Sequence, residues 1–193
     1  MAWNKEISKL ERELDKDPDN GNLHYKIALM LNDDLPAIAI GHLSLAANSK
    51  KRSSGVDKGS IYALMGEIYS RQENLLAAAK YYVMAHQESP SIYGTKILVS
   101  AATLFSRVND YDQAISAARR AVEIKPKELS AWNTLVESYI KKENNVLATL
   151  STLEMSYNNL DSEEARILFQ VLMGKIPRLK TFREAMRELP NRL

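Results

Sequence analysis

The side chains that most often perform chemistry in proteins are sparse in this sequence. Its three histidines, His24, His42 and His86, lie far apart, and no two of them have the short spacing that helical metal sites use. There is no cysteine, which excludes disulfides, thiolate nucleophiles and cysteine–zinc sites. His24 falls in an apolar helical stripe, which is typical of a packed histidine.

Glycines and carboxylates form no catalytic pattern either. The seven glycines are scattered along the chain and do not gather into a phosphate-binding loop. The 24 aspartates and glutamates are spread over predicted helix surfaces beside basic residues, which is typical of solvated faces. We therefore predict no enzyme activity, no cofactor and no metal.

Charge and hydropathy limit the classes of partner and the location. A formal net charge of +2 is too small to imply nucleic acid, and no apolar run approaches the 18 residues of a membrane span. The first residues lack the apolar segment of a signal peptide. This predicts a cytoplasmic protein, or a periplasmic one if a signal peptide has been removed.

The elements that would position a binding site are indicated by one pattern that occurs twice. Both copies have spacings of 3, 1, 3, 9, 4, 3 and 5 residues. The first copy is Tyr62, Met65, Gly66, Tyr69, Ala78, Tyr82, Ala85 and Pro90; the second is Leu98, Ala101, Ala102, Phe105, Ala114, Ala118, Ala121 and Pro126. Residues three and four apart share one helix face. Each copy therefore predicts two helices that pack large side chains against small ones, with a proline after the second helix.

This pattern resembles the tetratricopeptide repeat (TPR), a helix-turn-helix unit of 34 residues. A third copy departs from it at its last slots, and a looser copy precedes the first two. The third copy has Trp132, Leu135, Val136, Tyr139 and Ala148, then Thr152, Met155 and Leu160; the looser one has Ile27, Ala28, Leu31, Ala39, Leu43 and Ala46. The resemblance implies an all-α, right-handed superhelical solenoid of TPR repeats with capping helices at both ends.

The resemblance divides the chain into three parts. Residues 1–20 are an N-terminal capping helix, residues 21–162 hold four repeats, and residues 163–193 are a degenerate C-terminal capping helix pair. The repeats are 21–47, 59–92, 95–128 and 129–162. The polar segment from Asn48 to Gly55, with three adjacent basic residues, is predicted to be a flexible, solvated loop.

Both ends of the chain leave an alternative open. The first helix carries Trp3, Ile7, Leu10 and Leu14 on one side and is expected to cover the first repeat; the alternative is that it docks on another copy of the chain. The last helix, about Arg178 to Leu189, is expected to pack on the array. As a basic amphipathic helix, it has the alternative of binding a membrane or an acidic groove.

Helix ends are predicted from capping residues. The expected caps at helix starts are Asp34, Asn74, Asp110, Asn144 or Asn145, and Asp161, and Gly174 is expected to end the helix that follows Asp161.

The resemblance also implies a binding site, because the first helix of each TPR lines a concave groove that binds a peptide or a helix of a partner. By position in the repeat, the groove residues are Tyr25, Leu29, Ala63, Glu67, Ser70, Arg71, Lys96, Val99, Thr103, Arg107, Asn133, Glu137 and Lys141. The lysine–asparagine clamp that some TPR domains use to hold a C-terminal carboxylate is absent from these positions.

Three of these residues, Arg71, Arg107 and Lys141, occupy the same slot of successive repeats, whereas the first repeat has Asp33 there. Each is expected to end a helix, where the helix dipole favours a cation by about 0.3–1 kcal/mol. The alternative is a row of charges that attracts an acidic ligand.

We accordingly predict a non-enzymatic scaffold or adaptor whose groove binds a protein or peptide, an acidic one if the basic row is used. The alternative is a dedicated bacterial chaperone of the secretion type, because those proteins resemble this arrangement of a helical arm and about three repeats. A monomer or small homo-oligomer is expected.

Overall fold

The computed structural model of the chain describes residues 3–53 and 55–176, and this part is all α-helical apart from turns and one isolated bridge, Asn20 with Lys51. Its helices are α1 (Trp3–Leu14), α2 (Gly21–Leu31), α3 (Pro36–Asn48), α4 (Lys58–Arg71), α5 (Leu75–Glu88), α6 (Thr95–Arg107), α7 (Tyr111–Ile124), α8 (Leu129–Lys141), α9 (Asn145–Asn158) and α10 (Glu163–Lys175). None of them is both long and apolar enough to cross a membrane. The last helix predicted from the sequence lies outside the described residues.

The helices belong to two compact units, Met1–Tyr93 with α1–α5 and Gly94–Leu193 with α6–α10. The boundary falls in the segment from Ser91 to Gly94, where two residues exceed the 34-residue period between Ala78 and Ala114. The two extra residues therefore lie at the boundary between the units. The repeated pattern alone does not predict that boundary.

Helix pairs pack through the small residues of the repeat, as Gly66 illustrates in the first unit. A Cβ built on Gly66 of α4 would lie 2.5 Å from the ring of Tyr82 on α5, so no larger residue fits without displacing that ring. Ala78 and Ala85 of α5 are fully buried beside it. Close approach of the two helices thus depends on the glycine and alanine slots that define the pattern.

The N-terminal helix α1 packs on its own chain. Ile7 is buried, and Leu10 and Leu14 are partly buried against a core that includes Ile27 and Leu43. The side chain of Trp3, also assigned to this face by the sequence, lies outside the described residues. Because these apolar side chains are covered by α2 and α3, α1 closes one end of the first unit's core.

In the second unit, α10 packs against α8 and α9 and completes the core around Trp132. The indole Nε1 donates a hydrogen bond of 2.7 Å to the carbonyl of Pro126, which ties α8 to the turn before it. Leu172 of α10 and Met155 of α9 are fully buried in the same cluster.

The turn inside each helix pair has a common chemistry in three repeats. A residue with positive φ precedes an Asn or Asp whose side chain caps the second helix: Glu73 and Asn74, Asn109 and Asp110, Glu143 and Asn144. These side-chain oxygens accept from backbone N–H groups three residues on. The predicted caps Asn74, Asp110 and Asn144 are therefore confirmed.

Two predicted caps and one predicted helix end are wrong. The residue before α3 is Leu35, with no capping hydrogen bond from Asp34, and Pro36 instead starts the helix. Ser162, not Asp161, caps α10 by accepting from the N–H of Ala165 at 3.2 Å. Gly174 lies within α10, which runs to Lys175. A glycine that ends a helix usually has the left-handed backbone conformation. No described glycine has a positive φ, so Gly174 does not act in this way.

The predicted flexible loop after α3 is instead held to the start of α2. Ser49 Oγ donates to the carbonyl of Asp19 at 2.5 Å and accepts from the N–H of Gly21, while Lys51 Nζ binds Asp17 Oδ1 at 2.6 Å. The guanidinium of Arg52 donates to the carbonyls of Ala46, Ala47 and Ser49, which end α3. Two of the three adjacent basic residues thus stabilise the fold, because they satisfy carbonyls and a carboxylate that would otherwise need water.

Candidate functional site

In the first unit, the predicted groove residues lie on α2 and α4 but differ in accessibility. Leu29 is exposed and Glu67 is exposed, whereas Ala63 is buried and unavailable to a ligand. Tyr25 is half-buried; burial raises the pKa of its hydroxyl, and the negative charges of nearby Asp57 and Glu67 act in the same direction. Tyr25 of α2 is therefore near enough to Glu67 of α4 for the carboxylate to act on its hydroxyl.

The second unit places α6, α8 and α10, the first helices of their pairs, side by side. On this first-helix face, α6 exposes Lys96, Thr103 and Arg107, with Val99 partly buried. On α8, Asn133 and Glu137 are half-buried and Lys141 is exposed. All the residues predicted for this unit are thus at least partly accessible.

The basic residues that end α4 and α8 have a structural role that the sequence did not reveal. Arg71, the last residue of α4, donates to Asn32 Oδ1 at 2.5 Å and lies 3.3 Å from Asp33 Oδ1 at the end of α2. Lys141, the last residue of α8, donates to Ser106 Oγ of α6 at 3.2 Å and lies 5.9 Å from the centre of the Tyr111 ring. In both cases the cation reaches the corresponding helix of the preceding repeat and fixes the register of the two helices.

Lys175 is a fourth member of this series and was missed from the sequence. It ends α10, 34 residues after Lys141, and its Nζ forms an ion pair of 2.6 Å with Glu137 Oε1 of α8. The signal that could have found it is the 34-residue period, because Lys175 lies one period after Lys141. Glu137, predicted as a ligand contact, is partly neutralised by this pair.

The charge on α6 is entirely positive. The helix α6 contains no carboxylate, and α8 contains Glu137 alone. Lys96 and Arg107 are exposed on α6 and form no ion pair with residues of the second unit described in the structure. An anionic segment lying along α6 would therefore meet two cations and no opposing carboxylate on that helix.

The structure joins two histidines that are 18 residues apart. His24 Nδ1 and His42 Nδ1 are 2.8 Å apart, and His24 Nε2 donates to the carbonyl of Pro18 at 3.0 Å. Because a carbonyl only accepts, Nε2 of His24 carries a proton, and a single proton lies between the two Nδ1 atoms. Among residues 3–53 and 55–176, no group of three or more His, Cys, Asp or Glu side chains could hold a metal ion.

The sequence from residue 3 to residue 169 matches one protein family, the ChAPs (Chs5p-Arf1p-binding proteins). The chain belongs to the ChAPs family. The match includes all four repeats and most of α10, so the first-helix faces of both units lie within the part that this ChAPs chain shares with its family.

Solved structures of other proteins share the fold of this ChAPs chain. A structure of MamA matches with a TM-score of 0.58 and 19% identity, covering 82% of this chain and 83% of MamA. YrrB, described as a TPR protein with an unusual peptide-binding site, matches with a TM-score of 0.58 and 15% identity, covering 86% of this chain and 83% of YrrB. The all-α TPR fold predicted from the repeated pattern is confirmed.

Proposed function

We propose that the chain is a non-enzymatic scaffold or adaptor that binds an extended or helical segment of a partner protein on the first-helix faces of its repeats. The observation that carries this proposal is the face of α6, where Lys96 and Arg107 are exposed on a helix that has no carboxylate of its own. Glu128, just before α8, is near enough to interact with Lys96, but it is also held by Lys125 and Ser130.

The preferred ligand of the second unit is an acidic segment. Coulomb attraction to Lys96 and Arg107 is felt over about 10 Å at moderate salt, which is the scale of two turns of helix. In the first unit, Arg71 is paired with Asn32 and Asp33, and Glu67 is exposed beside it. The two faces therefore differ in charge, and an acidic ligand would prefer the second.

The description of the family supplies the candidate partners. ChAPs are Chs5p-Arf1p-binding proteins, and we propose that this chain binds proteins corresponding to Chs5p or Arf1p. The family description names two binding partners, Chs5p and Arf1p. A protein with two partners fits a scaffold better than the alternative drawn from the sequence, which is a chaperone dedicated to one secreted client.

The test is a quantitative binding assay with the purified counterparts of Chs5p and Arf1p. The double variant Lys96→Glu/Arg107→Glu should raise the dissociation constant at least about tenfold for whichever of the two proteins binds on α6, since two attractive charges become repulsive. Wild-type binding should also weaken as salt is raised.

The matched control is Lys80→Glu/Lys127→Glu, which makes the same change of charge at exposed positions of α5 and of the turn before α8. This control should bind as the wild type does, and thermal melting should show that both double variants are folded. Equal binding by the two double variants would show that α6 is not part of the site.

A further inference from the structure

The second helix of the first repeat, α3, has an apolar surface on both of its sides. Its residues from Pro36 to Asn48 include no charged side chain. Ala39 and Leu43 are fully buried on the inner side, whereas Ile38 and Leu45, on the opposite side, are 49% and 54% exposed. The outer side of α7, by contrast, is mainly charged and exposes Asp112, Gln113, Ser116, Arg119, Arg120 and Glu123. The second helices α5 and α9 also expose charged residues, Lys80 and Glu88 on α5 and Glu154 on α9, so α3 is the one of these four helices that has none.

A glycine lies between the two exposed aliphatic residues. Gly41 is three residues after Ile38 and four before Leu45, so the three share one side of the helix. A Cβ built on Gly41 would have nothing within 4 Å, and its φ is not positive, so the fold of the single chain does not require glycine there. Gly66, by contrast, is required by the ring of Tyr82.

Glycine weakens the middle of a helix, and an exposed one between two large apolar residues leaves a shallow depression. Such a depression lets the axis of a second helix come close, as Gly66 does inside the first unit. The surface formed by Ile38, Gly41 and Leu45, called here the α3 outer face, therefore suits an apolar helix from another molecule.

The charges on either side of α3 indicate which helix that is. Asp34 precedes α3 and Lys50 follows it; both are exposed, and neither forms an ion pair with a described residue. The two are equally distant in sequence from His42, beside Gly41. If a second α3 ran antiparallel to the first, Lys50 of each copy would lie beside Asp34 of the other, which gives two pairs of opposite charges.

We propose that the α3 outer face is a homodimer interface, in which two copies of the chain pack their α3 helices antiparallel around a two-fold axis beside Gly41. Ile38 and Leu45 of each copy cover the glycine of the other, and Asp34 faces Lys50 of the partner subunit. Such an interface is self-complementary, as two-fold symmetry demands.

The size of the face sets the strength of this dimer. Stable interfaces bury about 800 Å² per partner, whereas this face offers one helix with a few large, half-exposed side chains. The dimer is therefore weak, and it forms only at high local concentration. It leaves the first-helix faces on α2 and α4 free, so a dimer would present each of them twice and gain avidity for a partner with two binding segments.

The first experiment measures the dimer by sedimentation equilibrium of the full chain over a wide concentration range. The wild type should show a monomer–dimer equilibrium, and Gly41→Gln should raise the dissociation constant at least about tenfold, because the larger side chain prevents close approach of the helices. Since the space above Gly41 is open within the chain, this variant should fold and melt no lower than the wild type.

The control is Ile124→Gln, which removes an apolar side chain that is 51% exposed on α7 and should leave the dissociation constant unchanged. A chain that stays monomeric at all concentrations would overturn the proposal. So would a dimer that Gly41→Gln does not weaken, or one that Ile124→Gln weakens equally.

The second experiment tests the antiparallel direction by exchanging charges. Asp34→Lys and Lys50→Asp should each weaken self-association, because each variant places like charges at both ends of its dimer. A mixture of the two single variants should form heterodimers in preference to either homodimer, and the double variant Asp34→Lys/Lys50→Asp should recover the wild-type dissociation constant. If the mixture shows no preference for heterodimers, the proposed orientation is wrong.

Discussion

At the scale of single residues, the contact between His24 and His42 has the clearest chemical consequence. The two Nδ1 atoms are 2.8 Å apart and hold one proton between them. If both rings were fully protonated, two N–H groups would face each other and the hydrogen bond would be lost. Burial lowers the pKa of His42, the charge of His24 lowers it further, and Glu11 on α1 opposes these effects.

This contact predicts a loss of stability in mild acid. Because the folded pKa of His42 lies below its unfolded value, the unfolded chain takes up the proton first as the pH falls. The stabilisation is complete above about pH 6.5, the ordinary pKa of histidine, and is lost as the pH falls below it. The melting temperature should therefore drop over this range in the wild type and much less in His42→Asn. Identical pH profiles of the two proteins would contradict this explanation.

At the scale of elements, one carboxylate joins the two helices of the second repeat. Asp57 caps α4, accepting from the N–H of Ser60 at 3.1 Å and from its hydroxyl at 2.7 Å, and it also accepts from Ser89 Oγ, after α5, at 2.6 Å. Partial burial acts to raise the pKa of Asp57, but the hydrogen bonds from Ser89 and Ser60 outweigh it and hold the pKa below the ordinary value. The start of α4 and the end of α5 are thus held together by an ionised side chain.

Replacing Asp57 should destabilise the protein more than replacing an exposed aspartate that caps no helix. Asp57→Ala should lower the free energy of unfolding by about 1–2 kcal/mol, the usual cost of a lost N-cap. The control Asp161→Ala, at an exposed position that does not cap its helix, should change it by less than about 0.5 kcal/mol.

The contribution of Asp57 should also depend on pH. Since its folded pKa is depressed, the stabilisation is present above the ordinary pKa of about 3.9 and is lost as the pH falls through the folded value. Denaturant titrations of wild type and Asp57→Ala should converge in strong acid. A constant difference at every pH would mean that the carboxylate contributes through packing alone.

At the scale of the whole molecule, the first and the last described helices each pack on the core of their own unit. In the first unit that helix is α1, which buries Ile7 against α2 and its neighbours. In the second unit α10, the last described helix, contributes Leu172 to the core, and Lys175 ties it to Glu137 of α8. Stacks of repeats need covered ends because each repeat leaves one apolar face for its neighbour.

Removing α1 should therefore destabilise the protein without changing its fold. Deletion of residues 1–16 removes side chains whose burial is worth about 1.5–3 kcal/mol each before the cost of ordering α1, so the melting temperature should fall and apolar dye binding should rise. Ile7→Asp should have the same effect, because a buried charge undocks the helix, whereas Ser8→Asp, on the exposed side, should not.

A different result would identify α1 as an assembly device. If the full-length chain sediments as a large oligomer and the deleted chain is a stable monomer, α1 docks on another copy.

The sequence by itself determined the helix pairs, the three caps Asn74, Asp110 and Asn144, and the first-helix positions of the candidate site. These follow from interactions between residues three and four apart, which the spacing of Tyr62, Met65 and Tyr69 displays directly. The wrong predictions also concern local choices, because Asp161 and Ser162 are both good caps and only the observed backbone selects Ser162.

Only the tertiary structure decided which distant side chains meet. His24 with His42, Lys51 with Asp17, and Lys175 with Glu137 depend on how elements pack, and no local pattern encodes such a pairing. The cations at the ends of first helices show the consequence for the site. Their spacing indicated a row of charges, but Arg71 and Lys141 already contact the preceding repeat, because stacking brings successive helix ends within hydrogen-bond distance.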